Sequence, residues 1–534
     1  MGVIMIFTSY EFILFIIILF LVYYIIPNKF QWLLLLLASY IFYSFAGIKL
    51  LVYIIATTVT TYVISRRMDK IQIIQAEYIR TNKEQLTRQE RKAYKAAMKA
   101  KQRKWLILCL ILNMGMLAII KYTDFTIVNI NFLLEFVHSG KKIPHAGFVL
   151  PLGISFYTFQ TMGYIIDVYR GKYPCEKNLF KLALFVSFFP QLIQGPISRF
   201  NELAKTLFTE HQFDKKRIAF GLQRILWGFF KKLVIADRIL TGVNTIVRDP
   251  GEYQGIYVLI GMLFYAIELF ADFTGGIDIT IGVAQVLGIE VTENFERPYF
   301  SKSITEYWRR WHITMGTWFK DYMFYPISVS KSMLNLSKRC RKRFGEQFGK
   351  RIPVYISTIV VWFTTGIWHG AAWNFIIWGL LNCLVILISQ ECSPFYNKFH
   401  ARFHVKHTFG YRLFQVGRTF WLMSFLRTFD CYRDVSTTFR MYGTIVTKWN
   451  ASELFQGGLM KLGLTMTDYE ILFLAVMVLL IVSLSGRSKS VRKKLVKRPI
   501  LLRYAVYFGL FLAVLLFGTY GVGYDASQFI YSQF

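Results

Sequence analysis

Two of the chain's eight histidines lie in stretches where a titratable ring is out of place. His369 interrupts the apolar run "FTTGIWHGAAWNF", and His312 sits in "SITEYWRRWHITMGTWFKDYMFYPI". An imidazole, with an ordinary pKa near 6.5, can take up and return a proton at neutral pH, so a general base is the first chemistry such a ring suggests. Packing is the second: a neutral imidazole can also serve as a hydrogen-bonding link between helices. On the residues alone, the two readings of His369 stand even. Around His312, the segment places Trp308, Arg309, Arg310, Trp311, Thr314, Trp318, Lys320 and Asp321 on one helix-like stretch with Trp and charge alternating, as at a membrane interface. A solvated face accounts for Arg309 and Lys320 as well as binding does. Further upstream, "FYAIELFADFTGGIDITIGVAQVLGI" buries Glu268, Asp272 and Asp278 in an apolar run. Carboxylates at such depth need partners, and Glu268 and Asp272 are expected to hold the scaffold by pairing with Arg or helix ends. Gly275 and Gly276 are expected to permit a break between two half-helices.

The elements that position these residues follow from composition. Of 534 residues, 54% are hydrophobic and 18% aromatic, more than a water-soluble domain could cover. Apolar runs recur from Tyr10–Ile26 to Ile500–Phe517, and at about 17 to 25 residues per crossing they predict an all-α, polytopic integral membrane protein with roughly ten to fourteen membrane-embedded helices. The first run lacks a basic flank and a small-residue cleavage site, so it is expected to remain as a helix. Cys109, Cys175, Cys340, Cys383, Cys392 and Cys431 show no metal-type spacing and read as unpaired small hydrophobes.

The 63 Lys and Arg against 31 Asp and Glu give a formal charge of +32, clustered between apolar runs rather than spread over one soluble face. The largest cluster, Arg66 to Lys104, contains no Gly or Pro and reads as an exposed helix; Lys338–Arg343 and Arg487–Arg498 are the others. The positive-inside rule puts all three in the cytoplasm and both termini outside, and it accounts for the charge by topology and anionic lipid, with no nucleic acid. Rising from that side, Val354 to Trp368 climbs only about 22 Å, so His369 is expected at membrane depth, followed by a tight reversal at Gly370, Ala371 and Ala372.

"WRRWHITMGTWFKDYMFYPI" followed by "TGIWHGAAWNFIIWG" resembles the paired-histidine signature of the membrane-bound O-acyltransferases, in the bacterial branch that acetylates alginate or D-alanylates teichoic acid. "LPLGISFYTFQTMGYIIDVYRG", "FFPQLIQGPISRF", "FADFTGGIDITIGVAQVLGI" and "ENFERPY" follow the same pattern in the same order. The charged stretch 66–104 is longer than the family pattern. The resemblance implies one domain over residues 1–534, a ring of helices around a thinned membrane centre, an outward funnel, and passage of an acyl group from a cytoplasmic thioester to an extracytoplasmic hydroxyl. Acetyl-CoA is the implied donor, with an acyl carrier protein thioester or D-alanyl transfer as alternatives; no metal is implied. A hydroxyl is a poor nucleophile until a base removes its proton, which assigns His369 as general base and His312 as the second site residue towards the donor. Arg309, Arg310 and Lys320 are then candidates for donor phosphates.

The final residues, "FIYSQF" (529–534), resemble the subfamily's F-I-Y-F-Q-F ending, with Ser532 in place of Phe. That likeness makes Tyr531 a candidate acyl relay to a secreted or membrane-anchored acetyltransferase, alongside the polysaccharide biosynthesis and export machinery. A polytopic transporter or flippase, with "FTGGID" as a broken helix, and a catalytically silent scaffold are the competing classes.

Overall fold

A computed structural model describes residues 5–487 and 490–521, so the ending with Tyr531 and Ser532 lies outside the described residues. Among these residues there are helices and no strands. Two compact units divide them, Met1–Lys215 with Leu287–Val291, and Lys216–Val286 with Thr292–Phe534.

The first unit opens with α1 (Tyr10–Ile25), whose N-terminus is capped by Ser9 accepting from the Phe12 N–H at 3.2 Å, and α2 (Gln31–Phe45). Next, α3 (Leu51–Thr81) and α4 (Arg88–Phe136) run through the membrane-type apolar stretches and out into the basic segment. Where they cross apolar depth they are linked by polar side chains: the Thr60 hydroxyl donates to Asn113 Oδ1 at 2.9 Å, and the Asn113 amide donates to Thr61 at 3.2 Å. The basic segment is a helical hairpin and not the single helix its composition suggested. Asn82 ends α3 by donating to the Tyr78 carbonyl at 2.9 Å, and Thr87 and Glu90 form a reciprocal capping box that restarts the chain as α4. The "TRQE" signature of that box is in the sequence and overrides the high helix propensity around it. Beyond it come α5 (Ile154–Arg170), α6 (Leu179–Ser187) and α7 (Phe189–Gln194). Gly153, at φ +67°, lets the start of α5 lie on the α7 backbone, where a β-carbon would come within 2.6 Å of the Leu192 carbonyl oxygen.

The second unit begins one residue into α8 (Lys215–Phe229), continues through a π-helical turn to α9 (Asp237–Arg248), and then to α10 (Ile256–Val286). α10 passes unbroken through Gly275 and Gly276, so the expected half-helices do not occur. The glycines act as packing surfaces instead: a β-carbon on Gly228 of α8 would lie 2.7 Å from the Gly275 carbonyl, and one on Gly282 would lie 2.9 Å from that of Gly221. With the backbones this close, Lys232 reaches between Asp237 at 2.7 Å and Asp272 at 2.6 Å, all three buried. Asp272 therefore pairs with a lysine, and Asp278 pairs with Arg224 and Lys231 at 2.8 and 2.6 Å.

Among the helices that follow are α11 (Ile304–Arg310), α12 (Ile313–Phe319), the basic α13 (Lys331–Phe344), α14 (Glu346–His369), α15 (Trp373–Glu391), α16 (Phe409–Tyr432), α17 (Met466–Ser485) and α18 (Ile500–Phe517). Seven of the described helices, α3, α4, α10, α14, α15, α17 and α18, are long and apolar enough to cross a bilayer, and shorter apolar ones accompany them. The chain is a multi-pass, all-α membrane protein. Its six cysteines are free thiols.

Candidate active site

His312 stands at a break. The predicted continuous helix through Trp308 and Trp318 stops at Arg310 and restarts at Ile313, with His312 between them in the left-handed region at φ 49°, ψ 53°. The cause is Asn294, fully buried in the loop after α10. Its backbone carbonyl accepts from the Ile313 N–H at 2.9 Å, and its side-chain oxygen accepts from the Thr314 N–H at 3.1 Å and the Thr314 hydroxyl at 2.9 Å. Two residues on, the Glu296 N–H donates to the Arg310 carbonyl at 2.9 Å. One loop thus satisfies the end of α11 and the start of α12 together, which helix ends require. His312 Nδ1 lies 3.3 Å from the same Asn294 oxygen. Because that oxygen only accepts, Nδ1 carries the proton and Nε2 is left as the basic nitrogen. The ring lies outside the seven long spans; burial, and then the Arg427 charge, hold its pKa well below the usual imidazole value.

A cleft of about 560 Å³ opens on this ring. Trp308, Trp311, Met315, Trp362 and Ile386 make it mostly apolar, while Arg309, Lys320, Thr317 and Thr365 supply a few polar groups. Such a lining suits a largely apolar group held by a small number of polar contacts.

His369 is the last residue of α14, where the chain reverses through Gly370 to Ala372 into α15. The two helices pack backbone to backbone: β-carbons on Gly366 and Gly379 would each come within 2.5 Å of a carbonyl oxygen across the pair, and one on Gly370 would strike the Phe375 ring. Buried there, the His369 ring lies 5.0 Å from Trp368 and 4.8 Å from Trp378. Trp368 in turn lies 6.1 Å from His312, so the two histidines share one indole. Behind them Arg427 of α16 is buried and paired with Asp430 at 2.7 Å, its guanidinium 5.4, 5.2 and 4.8 Å from the Trp308, Trp311 and Trp378 rings. This one cation ties the His312 segment to the neighbour of His369.

Residues 177–339 match the model of the membrane-bound O-acyltransferase family. A probable alginate O-acetylase of Azotobacter vinelandii is 35% identical over 70% of this chain, a match that spans 66% of that protein's length, just under two thirds. A probable alginate O-acetylase of Pseudomonas syringae is 31% identical over 82% of this chain and 74% of its own length. The chain belongs to the membrane-bound O-acyltransferase family. The peptidoglycan O-acetyltransferase of Helicobacter pylori is also similar, at 31% identity over 68% of this chain and 66% of its own length.

In this O-acyltransferase-family chain the residues singled out from sequence fall into three places. His312, Arg309 and Lys320 line the cleft; His369 does not line it and is linked to His312 through the Trp368 ring. Arg310 pairs with Glu306 at 2.6 Å and does not line it. Tyr531 lies outside the described residues. Sequence reasoning missed Asn294, Trp378, Arg427 and Asp430. A signal existed for Arg427, a charge inside the apolar run Phe414–Phe429, where a cation at membrane depth marks a site. Asn294 had none beyond its place in "ENFERPY".

Proposed function

We propose that this protein moves an acyl group, acetyl first, from a cytoplasmic thioester across the membrane for O-acylation of an extracellular or cell-wall polysaccharide. The observation that carries the reading is the pair of buried imidazoles sharing Trp368, one of them opening on the cleft. His369 acts as general base on the attacking hydroxyl. The hydroxyl oxygen bonds to the acyl carbon, its proton passes to the imidazole, and the thiolate leaves. His312, its Nδ1 proton directed at Asn294, presents Nε2 towards the donor. Arg309 and Lys320 are placed to meet donor phosphates, and Arg310 is committed to Glu306. Acetyl-CoA is the proposed donor, with an acyl carrier protein thioester as the alternative. The names of the relatives, alginate O-acetylase and peptidoglycan O-acetyltransferase, support acetyl and a glycan acceptor. D-alanyl transfer to teichoic acid is the second reading. The continuity of α10 through Gly275 removes the broken helix on which a transporter reading rested.

The reading sets the protein in the bacterial cell membrane with both termini extracytoplasmic, as a single domain with the outward funnel that the resemblance implies, working with a secreted or membrane-anchored acetyltransferase and the polymer's biosynthesis and export machinery. Tyr531 is the proposed relay: His369 takes the phenol proton, the phenolate oxygen accepts the acyl group, and the aryl ester yields it to the partner enzyme. Inverted membrane vesicles given radiolabelled acetyl-CoA should incorporate label that His369→Ala vesicles do not; equal labelling by the two would remove the enzyme reading. Tyr531→Phe keeps the aromatic ring and should abolish polymer acylation, and retained acylation would leave the tail as a plug.

A further inference from the structure

A second cleft in the same unit holds a different chemistry. It measures about 130 Å³, room for a few waters or one tetrahedral oxyanion, and is entered by the side chains of Arg224, Lys231 and Arg297. Two of these cations are already matched. Arg224 meets Asp278 at 2.8 Å and forks onto both oxygens of Glu293 at 2.6 Å, and Lys231 donates to Asp278 at 2.6 Å and Thr274 at 2.7 Å. Arg297 is not: its guanidinium makes no hydrogen bond or ion pair with any described residue. Burial and the nearby charges of Arg310 and Arg487 lower its pKa, with Glu296 opposing, so the potential at this guanidinium is positive. Its backbone is held left-handed at φ 47°, between Asn294 and Pro298, in the same loop that clamps α11 and α12.

The far edge of the cleft is apolar. Leu479 and Val482 of α17 form it with the Ser483 hydroxyl beside them, near the end of an apolar span that buries little of itself in the protein. The chain next enters the basic segment at Arg487, which the positive-inside rule places at the cytoplasmic surface. A half-buried fork of donors at headgroup level, with an acyl-chain surface beside it, matches an anionic phospholipid; a free phosphate shares the anion but not the tail. We propose that this cleft is a binding site for a phosphoryl anion held by Arg297, with a phospholipid headgroup as its source. The site borders His312: Phe270 and Phe295 line it and pack at 6.5 and 5.1 Å on Trp311, the residue before that histidine. This proposal is independent of the acyl-transfer reading.

The test uses the full-length protein in neutral maltoside micelles, with the thermal unfolding midpoint as readout. Short-chain phosphatidylglycerol should raise the midpoint saturably by several degrees, and phosphatidylcholine of the same chain length should not. The rise should vanish in Arg297→Gln, survive in part in Arg297→Lys, and persist in Arg339→Gln on the exposed face of α13. An equal rise with inorganic phosphate at the same concentration supports the site and assigns it to a soluble anion. Should Arg297→Gln not fold, Ser483→Asp carries the test, since a carboxylate at the cleft edge should abolish the rise. The proposal is overturned if neither anion shifts the wild type, if the shift survives Arg297→Gln or Ser483→Asp, or if Arg339→Gln removes it equally.

Discussion

His312 and His369 reach the same indole by opposite means. His369 is positioned locally: a helix of set rise ends, three small residues turn the chain, and Gly366 and Gly379 let the next helix press back along it. His312 is positioned from a distance, by an asparagine that clamps two helix ends and takes the ring nitrogen into the same network. The first device is a pattern of residue types and can be read from sequence. The second is a tertiary contact that no spacing around His312 announces.

The largest effect is expected at the locally encoded ring. His369→Ala and His369→Gln should lower acyl transfer about 10²- to 10⁴-fold, the range for loss of a general base, while the protein stays folded. Polymer acylation in a complemented deletion strain, with the unfolding midpoint of the purified variants alongside, provides the check; near-normal acylation by either variant would remove His369 from the chemistry.

His312→Ala should be severely impaired at ordinary donor concentration and recover as donor is raised, because the cleft it faces is assigned to the donor. Kinetics in vesicles separate the two roles. A loss in kcat that saturating donor does not relieve would make His312 a second group in the chemical step and erase the functional half of the comparison.

Asn294→Ala sharpens the structural half. Losing a helix N-cap costs about 0.5 to 2 kcal/mol, and here it also removes the oxygen that accepts from the Thr314 N–H and hydroxyl and faces His312 Nδ1. A lowered midpoint with activity falling at least as far as in Thr314→Val is expected. If Asn294→Ala matched wild type in both readouts, the clamp would not be what places His312.

What the sequence made legible follows the same division. Helical class, membrane embedding, the basic segments and the reversal after His369 all rest on local pattern. The break at His312, the continuity of α10 and the Arg427 cage rest on partners remote in sequence. "FTGGID" shows how this misleads: paired glycines read as flexibility when considered alone, yet α10 runs through them unbroken and Gly275 lies against the backbone of α8. Thr87 and Glu90 are a different case, a local capping signal set within a stretch of high helix propensity.

The smallest and most specific expectation concerns pH. In the wild type, burial and Arg427 hold the His312 pKa down to about 3, so the ring is neutral across the physiological range. The unfolded chain takes up that proton near pH 6.5; this contribution to stability is therefore intact above about 6.5 and is lost as pH falls towards 3. Asn294→Asp retains an acceptor as good for capping as the amide, so α12 should still start at Ile313. The new carboxylate, however, sits where an oxygen lies 3.3 Å from Nδ1, and it favours the imidazolium that Arg427 disfavours. The His312 pKa should rise back towards neutrality. Activity at alkaline pH should then stay within a few-fold of wild type and fall on the acid side, with a new limb in the profile of kcat/KM that the wild type lacks. A profile unchanged on the acid side, in a variant that folds, would mean that the Asn294 oxygen does not govern the proton on His312, and the distant device would be reduced to a helix cap.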